Sequence, residues 1–368
     1  MVFDLLFSPL LILIAGPVTV WLSLWRIDYL QKKNLYGKQN AIERVVLWPV
    51  LLLAISLTAY TTYNTLRIWS FRPRDPMSGS IFVVDGYPMH IDCTGTGSPT
   101  IILESGWGSG WEIWSKVQPA LSQATRVCSY DRSGYGYSGA RPSLRDADHI
   151  VFELHSLLSQ ADVKGPILLM GHSLGGMFIR DYAARYSNEV AGLIFVDAVT
   201  PQWGLGKVES PPRLIEQIGM QMACATNSPA LVGDCSWPRP GLNMPRWQLA
   251  VGGLCHPQIC ALKPESDSFE QSGYETVGRG FYGNLPILVF SRDTSHGWEP
   301  QAWRSRWSQM QQELTQLSTQ SRMVVANNSS HMIQLDHSEL INEEVLLFIA
   351  QVRGKTPPAG DPPRPLTH

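Results

Sequence analysis

From residue 80 to residue 352 short apolar runs alternate with amphipathic helical patterns, and this alternation restricts the architectures open to the chain. The runs at 81–85, 89–93, 100–104, 126–130, 167–170, 192–196, 287–290 and 323–326 are rich in Val, Ile and Leu. Helical patterns occupy 111–123, 146–161, 174–186, 301–319 and 338–352. Apolar strands separated by helices imply a mostly parallel sheet covered on both faces. The first two runs, joined by Gly86, Tyr87 and Pro88, read as an antiparallel hairpin at one edge. Between 199 and 284 the alternation lapses into a stretch rich in Pro, Trp, Met and Cys, expected to be an insertion lying over the sheet. The expected organisation is an N-terminal segment 1–72, a linker 73–79, an α/β domain 80–353 with a cap at about 199–284, and a Pro-rich disordered tail 354–368.

The N-terminal segment has a different character. Residues 5–25 and 45–66 contain no Lys, Arg, Asp or Glu, and at about 1.5 Å per residue either run is long enough to cross a hydrocarbon core of about 30 Å. No basic residue precedes the first run, which argues against a cleaved signal peptide. Five basic residues (Arg26, Lys32, Lys33, Lys38, Arg44) lie between the runs, against three (Arg67, Arg72, Arg74) just after the second. The positive-inside rule then puts the 26–44 loop in the cytoplasm and both termini outside, so the expectation is an integral membrane protein whose α/β domain is extracytoplasmic.

Six cysteines bear on the same question. Cys224, Cys235, Cys255 and Cys260 fall in the insertion, spaced to pair locally as 224–235 and 255–260. Disulfides require an oxidising compartment. No histidine except His256 accompanies them at a zinc-like spacing, so no metal is expected. The formal net charge of −2 argues against a nucleic-acid partner.

The sharpest local signal is Gly171–His172–Ser173–Leu174–Gly175, a G-x-S-x-G pattern with an apolar run before it and a helical pattern after it. A serine on such a sharp, strained turn exposes its Oγ, and small residues on either side leave room for the turn. A nucleophile there needs two oxyanion donors. One is the backbone N–H of Leu174, and the other is expected from Trp107 in the loop Glu104–Ser105–Gly106–Trp107–Gly108. The general base is expected at His331, which follows the last apolar run through a short polar loop and precedes the final helix. His337 is expected to cap that helix or face solvent, His172 to point away from the serine, and His296 is a lesser rival. The orienting acid should lie between serine and histidine in sequence: Asp293, ending the seventh run, is the expected residue, and Asp197, ending the sixth, is the alternative. The segment Tyr130–Asp131–Arg132–Ser133–Gly134–Tyr135–Gly136–Tyr137–Ser138 reads as a tight turn with a structural role.

Taken together, the loop 103–108, the segment 130–136, the sequence Gly171–His172–Ser173–Leu174–Gly175–Gly176, Asp293 and the His331–Met332 turn resemble the α/β-hydrolase family over residues 80–352. The resemblance implies an eight-stranded sheet with a cap inserted after the sixth strand. In that sheet the second and fourth strands are neighbours, and Cys93 and Cys128 would pair across them. Members that open epoxides or remove halogens carry Asp at the nucleophile position, so Ser173 argues against both. The expected function is hydrolysis of a carboxylic ester, apolar or lipid-like, by Ser173, Asp293 and His331 through an acyl-enzyme, with no cofactor. Amide or thioester cleavage on the same residues, and a non-catalytic ligand-binding role, are the alternatives.

Overall fold

A computed structural model describes Trp25, Leu52, Ile55, residues 77–139, 141, 144–205, 258–295 and 299–354. The expected spans at 5–25 and 45–66, the tail beyond 354 and the cysteine pairs 224–235 and 255–260 lie outside the described residues, apart from the helical positions Trp25, Leu52, Ile55 and the Cys260 backbone. Among the described residues no helix is long and apolar enough to cross a membrane. By chain contacts the molecule divides into two units, and the second (Pro76–Ser210, Pro238–Met244 and Ala261–His368) holds every element described below except the first residues of helix α5.

The strands are β1 (Ser80–Val84), β2 (Tyr87–Thr94), β3 (Thr100–Glu104), β4 (Val127–Tyr130), β5 (Ile167–His172), β6 (Val190–Val196), β7 (Ile287–Arg292) and β8 (Ser321–Ala326). The helices are α1 (Gln118–Leu121), α2 (Ala147–Gln160), α3 (Gly175–Arg185), α4 (Pro201–Leu205), α5 (Gln258–Asp267), α6 (Phe269–Val277), α7 (Gln301–Thr315), α8 (Ile333–Asp336) and α9 (Ser338–Val352). The strands form one sheet in the order β1-β2-β4-β3-β5-β6-β7-β8. β1 and β2 pair antiparallel, as do β2 and β4, and every later pairing is parallel. The hairpin and the parallel sheet expected from the sequence are therefore present.

Burial on both faces explains why the central strands read as unbroken apolar runs. Ile102, Leu169, Leu193 and Val289 enter one core with α2 and α3, whereas Ile101, Leu103, Leu168, Met170, Ile194 and Phe290 enter the other with α9. Each such side chain contributes about 1.5–3 kcal/mol on removal from water. Helix α2 directs Ile150, Val151, Leu154, Leu157 and Leu158 into the first core, and its start is set by Asp146, whose carboxylate accepts the N–H of His149 at 3.0 Å. Cys93 and Cys128 face each other across β2 and β4 and are joined by a disulfide, as the resemblance implied.

Two helical expectations shift. The pattern over 111–123 resolves into a 3₁₀ turn (Trp111–Trp114) and the short α1, because Pro119 has no N–H to continue a helix but suits its first turn. The pattern over 301–319 stops at Thr315, where the chain leaves to pair with the segment before β7: Leu317 accepts from Tyr282 N–H, and Thr319 N–H donates to Gly283.

Chain order reverses once, at β3: the chain steps from β3 outward to β4, then returns to place β5 on the other side. In open α/β sheets the crevice beyond the carboxyl ends of such strands is where ligands bind. Register aligns Glu104 with Gly171 across β3 and β5, and His172 with Val196 across β5 and β6. The segments that follow, 105–108, 173–174 and 197, are therefore brought together by backbone pairing alone.

A buried pair fixes the hairpin to the turn after β4. His90 is fully buried; its Nδ1 lies 2.8 Å from Asp131 and its Nε2 lies 2.8 Å from the carbonyl of Ser78. Both partners only accept, so both ring nitrogens donate and the imidazole is a cation. Burial opposes that charge, but the hydrogen bond and attraction from Asp131 and the hydrogen bond to Ser78 outweigh it and raise the His90 pKa. Because the folded value lies above the unfolded one, the stabilisation is complete below about 6.5 and is lost as pH rises through the folded value. Urea midpoints measured upward from pH 6 are expected to decline over this window in the wild type, and His90→Gln is expected to remove that part of the decline.

Candidate active site

Ser173 occupies the turn between β5 and α3 with φ of +51°, a conformation that costs a non-glycine residue about 1–3 kcal/mol. The turn is possible because of what stands beside it. A Cβ on Gly171 would lie 2.7 Å from the Gly175 carbonyl oxygen, and one on Gly175 would lie 2.7 Å from the carbonyl oxygens of Glu104 and Ser105. Sheet hydrogen bonding holds the serine from its other side: its N–H donates to Val196 at 3.1 Å, and its carbonyl accepts from Val199 at 3.0 Å. Ser173 is thus locked at the head of α3, whose first-turn N–H groups favour negative charge.

His331 lies in the loop between β8 and α8, and its Nδ1 is 2.7 Å from Oδ2 of Asp197. A carboxylate only accepts, so Nδ1 carries a proton, and in the neutral ring the lone pair is then on Nε2. The acid beside the histidine is therefore Asp197 and not Asp293, which corrects the sequence expectation. The register supplies the reason. Asp197 follows the residue of β6 that pairs with His172, whereas the N–H of Asp293 donates to Ala326 of the edge strand β8. The Asp293 carboxylate accepts the N–H of Ser295 at 2.8 Å in a local turn and lines a surface cavity of about 590 Å³ beside Arg304 and Ser305.

Asp197 is fully buried, has φ of +45°, and is surrounded by donors. Oδ1 accepts from the indole N–H of Trp307 at 2.9 Å and from the N–H of Arg292 at 3.1 Å. The Arg292 guanidinium approaches Oδ2 at 3.4 Å, pairs with Glu299 at 3.0 Å, and lies over the rings of Trp303 and Trp307. Trp307 also meets the His331 ring edge-on at 5.3 Å. One carboxylate is thereby held between the histidine and a tryptophan, which fixes the plane of the imidazole.

His172 has a structural partner. It is buried; its Nε2 donates to the carbonyl of His331 at 3.0 Å, and the two rings lie 4.6 Å apart. It ties the His331 loop to β5. His337 forms the N-terminal boundary of α9, and His296 lies outside the described residues.

The loop after β3 closes the site. A Cβ on Gly106 would lie 2.7 Å from Nδ1 of His172 and 3.0 Å from Cβ of Ser173, so this backbone abuts the serine, and only glycine permits the approach. Trp107 follows it with its side chain half-exposed, and Leu174, the other expected donor residue, is buried after the serine. Beneath the loop, Glu104, Ser105, Tyr130 and Arg132 are buried and mutually hydrogen-bonded.

The sheet order, the strand-to-helix turn at Ser173 and the histidine beyond the last strand decide the architecture. The chain has the α/β-hydrolase fold. A family model described as alpha/beta hydrolase fold matches residues 99–223. The chain is 28% identical over 264 residues to the YqjL protein of Bacillus subtilis (strain 168), a match covering 71% of this chain and 88% of that one. Among solved structures it resembles the epoxide hydrolase CorEH, with a TM-score of 0.56, 19% identity, and coverage of 75% of this chain and 99% of the other. A thermophilic esterase from Thermogutta terrifontis matches with the same TM-score at 17% identity, covering 75% of this chain and 99% of the esterase.

The two candidate acids are separable by substitution. If the serine, His331 and the adjacent acid act together on an ester, Asp197→Asn is expected to lower kcat by about 10³–10⁴-fold, as loss of a histidine-orienting carboxylate does elsewhere. Asp293→Asn is expected to stay within a few-fold of wild type. Rates on a p-nitrophenyl ester, scaled to sites titrated with a fluorophosphonate, provide the measurement.

Proposed function

We propose that the protein is a serine hydrolase of carboxylic esters, with Ser173 as nucleophile, His331 as general base and Asp197 as the residue that orients it. The observation carrying this reading is the His331–Asp197 hydrogen bond at the carboxyl end of the sheet, next to a serine held at positive φ. In the first half-reaction His331 Nε2 takes the proton of Ser173 as Oγ bonds to the acyl carbon. The carbonyl π electrons move to oxygen, where the N–H groups of Leu174 and Trp107 stabilise the charge. Collapse breaks the bond to the leaving alkoxide, which receives the proton from His331 and leaves an acyl-serine. Water then repeats the sequence: His331 takes its proton, hydroxide oxygen bonds to the acyl carbon, and Ser173 departs with the proton returned. Asp197 stays ionised throughout and stabilises the imidazolium. The cycle uses only side chains and backbone, so it calls for no cofactor.

Trp203, Trp303 and Trp307 pack edge-to-face and stacked at 4.9–5.8 Å between ring centroids, and Trp307 meets the His331 ring. An apolar cluster adjoining the histidine supports an apolar acyl or alcohol portion, including a lipid-like one. The charge-free runs at 5–25 and 45–66 support a membrane-tethered protein. The Cys93–Cys128 disulfide, together with the loop charges, supports an extracytoplasmic catalytic domain.

Fluorophosphonate labelling of the detergent-solubilised full-length chain, followed by p-nitrophenyl esters of increasing acyl length and a matched p-nitroanilide, tests the reading. Labelling is expected in the wild type and absent from Ser173→Ala, with turnover lower by about 10⁴-fold or more. A folded wild type that neither labels nor turns over any ester would overturn the hydrolase assignment; faster anilide than ester cleavage would overturn the ester preference.

A further inference from the structure

Arg132 has no part in the chemistry described above, yet it is among the most fully engaged side chains of the molecule. It stands in the turn after β4 and is 2% exposed. Nη1 donates to Glu104 at 2.6 Å and to the Ser105 carbonyl at 2.7 Å. Nη2 donates to the Gly106 carbonyl at 2.9 Å and to Glu265 at 2.9 Å, and Nε donates to the other oxygen of Glu265 at 3.0 Å. All five donors of the guanidinium are used. The Glu104 carboxylate also accepts from the hydroxyl of Tyr130.

Two of these bonds fall on successive carbonyls of the loop that bears Trp107. A peptide unit is planar, and in the trans form its C=O and N–H point in opposite directions. Holding the Gly106 oxygen against Arg132 therefore fixes the direction of the Trp107 N–H on the far side of the same plane. That peptide begins at Gly106, whose Cα lies close to the serine: a Cβ there would come 3.0 Å from Cβ of Ser173. Glycines at 106 and 108 leave the loop torsionally loose, and Gly108 takes φ of +71°. An oxyanion donor is effective when it is aimed before the charge develops, and here the aim depends on a grip from outside the loop.

Fold stabilisation alone does not require this arrangement. An apolar side chain of similar volume can replace a buried ion cluster at little cost when its partners are replaced too. What it cannot supply is two parallel donors to two neighbouring carbonyls. Lysine cannot supply them either while also holding both carboxylates, since it is a point charge without the planar fork.

We propose that Arg132 is the positioning residue of the oxyanion loop, and that Glu265 of α5 holds it in place together with Glu104. The proposal rests on the serine-hydrolase reading and adds to it a link between α5 and the aim of the Trp107 N–H. Glu265 tethers the guanidinium through two oxygens, so displacement of α5 removes two of the five bonds and loosens the grip on the loop.

The test uses Arg132→Lys, Arg132→Met and Glu265→Gln in the full-length chain. Competent serines are counted by fluorophosphonate taken to completion, and kcat and KM are expressed per counted site. Arg132→Lys is expected to regain most of the thermal stability lost in Arg132→Met. Its kcat per site is nevertheless expected to stay about 10²–10³-fold below wild type, the usual loss for one oxyanion donor, with little change in KM. A trifluoromethyl ketone, which forms the oxyanion on Ser173, is expected to bind weaker by the same factor. Glu265→Gln, which keeps one acceptor oxygen, is expected to fall between wild type and Arg132→Lys. A kcat per site in Arg132→Lys within about threefold of wild type would overturn the proposal. A crystal structure of Arg132→Lys decides independently of turnover: a Gly106–Trp107 peptide in its wild-type orientation overturns the positioning role even if the wild type proves inert to esters, an outcome that would by itself overturn only the hydrolase reading.

Discussion

A serine at φ of +51° is held against its own backbone preference, and the surrounding structure is organised around keeping it there. The turn is short because Gly171 and Gly175 approach to distances that no Cβ allows. It remains fixed because Ser173 pairs through its N–H and carbonyl with Val196 and Val199. Those partners are in place because β5 lies in the middle of an eight-stranded sheet, with β3 on one side and β6 on the other. Loss of strand pairing would release the strain and disperse the site in the same event. The stability of the sheet and the geometry of Ser173 are in this sense one property.

Two buried charge clusters flank the serine and do different work in the same low-dielectric setting. Asp197 is surrounded by Trp307, Arg292 and His331, so its charge is directed to one imidazole nitrogen. Arg132 is shared by Glu104 and Glu265; burial opposes its charge, and the two carboxylates hold its pKa well above the ordinary value. Burial in turn raises the Glu104 pKa in spite of Arg132 and Tyr130. Removing one member of such a cluster leaves an uncompensated charge, which costs about 3–5 kcal/mol, so the fork geometry and the fold are coupled. His172 closes the circuit by bonding β5 to the carbonyl of His331.

Much of the fold was legible because it is written locally. Runs such as 100–104 and 167–170 fall on β3 and β5 because strands buried on both faces need apolar residues at every position. The helix over Ser338–Val352 agrees at both ends. Departures occur where a single residue or a distant contact intervenes, as Pro119 does within 111–123 and Tyr282 and Gly283 do at the end of α7. The turn carrying Ser173 was legible for the same local reason: glycines two positions either side, a strand before and a helix after.

By itself the sequence determined the α/β class, the antiparallel hairpin at the edge, the strand-to-helix turn at Ser173 and the loop that carries His331, because period and turn chemistry act over a few residues. Tertiary structure alone decided which carboxylate meets the histidine. Asp197 and Asp293 both follow strands and both precede His331 in the chain, and only the β5–β6 register together with the indole of Trp307 brings Asp197 to Nδ1. It alone also revealed that Arg132, 26 residues beyond Gly106 in the chain, holds that residue's carbonyl. Contacts of this kind join segments far apart in sequence, and their partners are set by how strands are ordered in space rather than by anything their neighbours in the chain can encode.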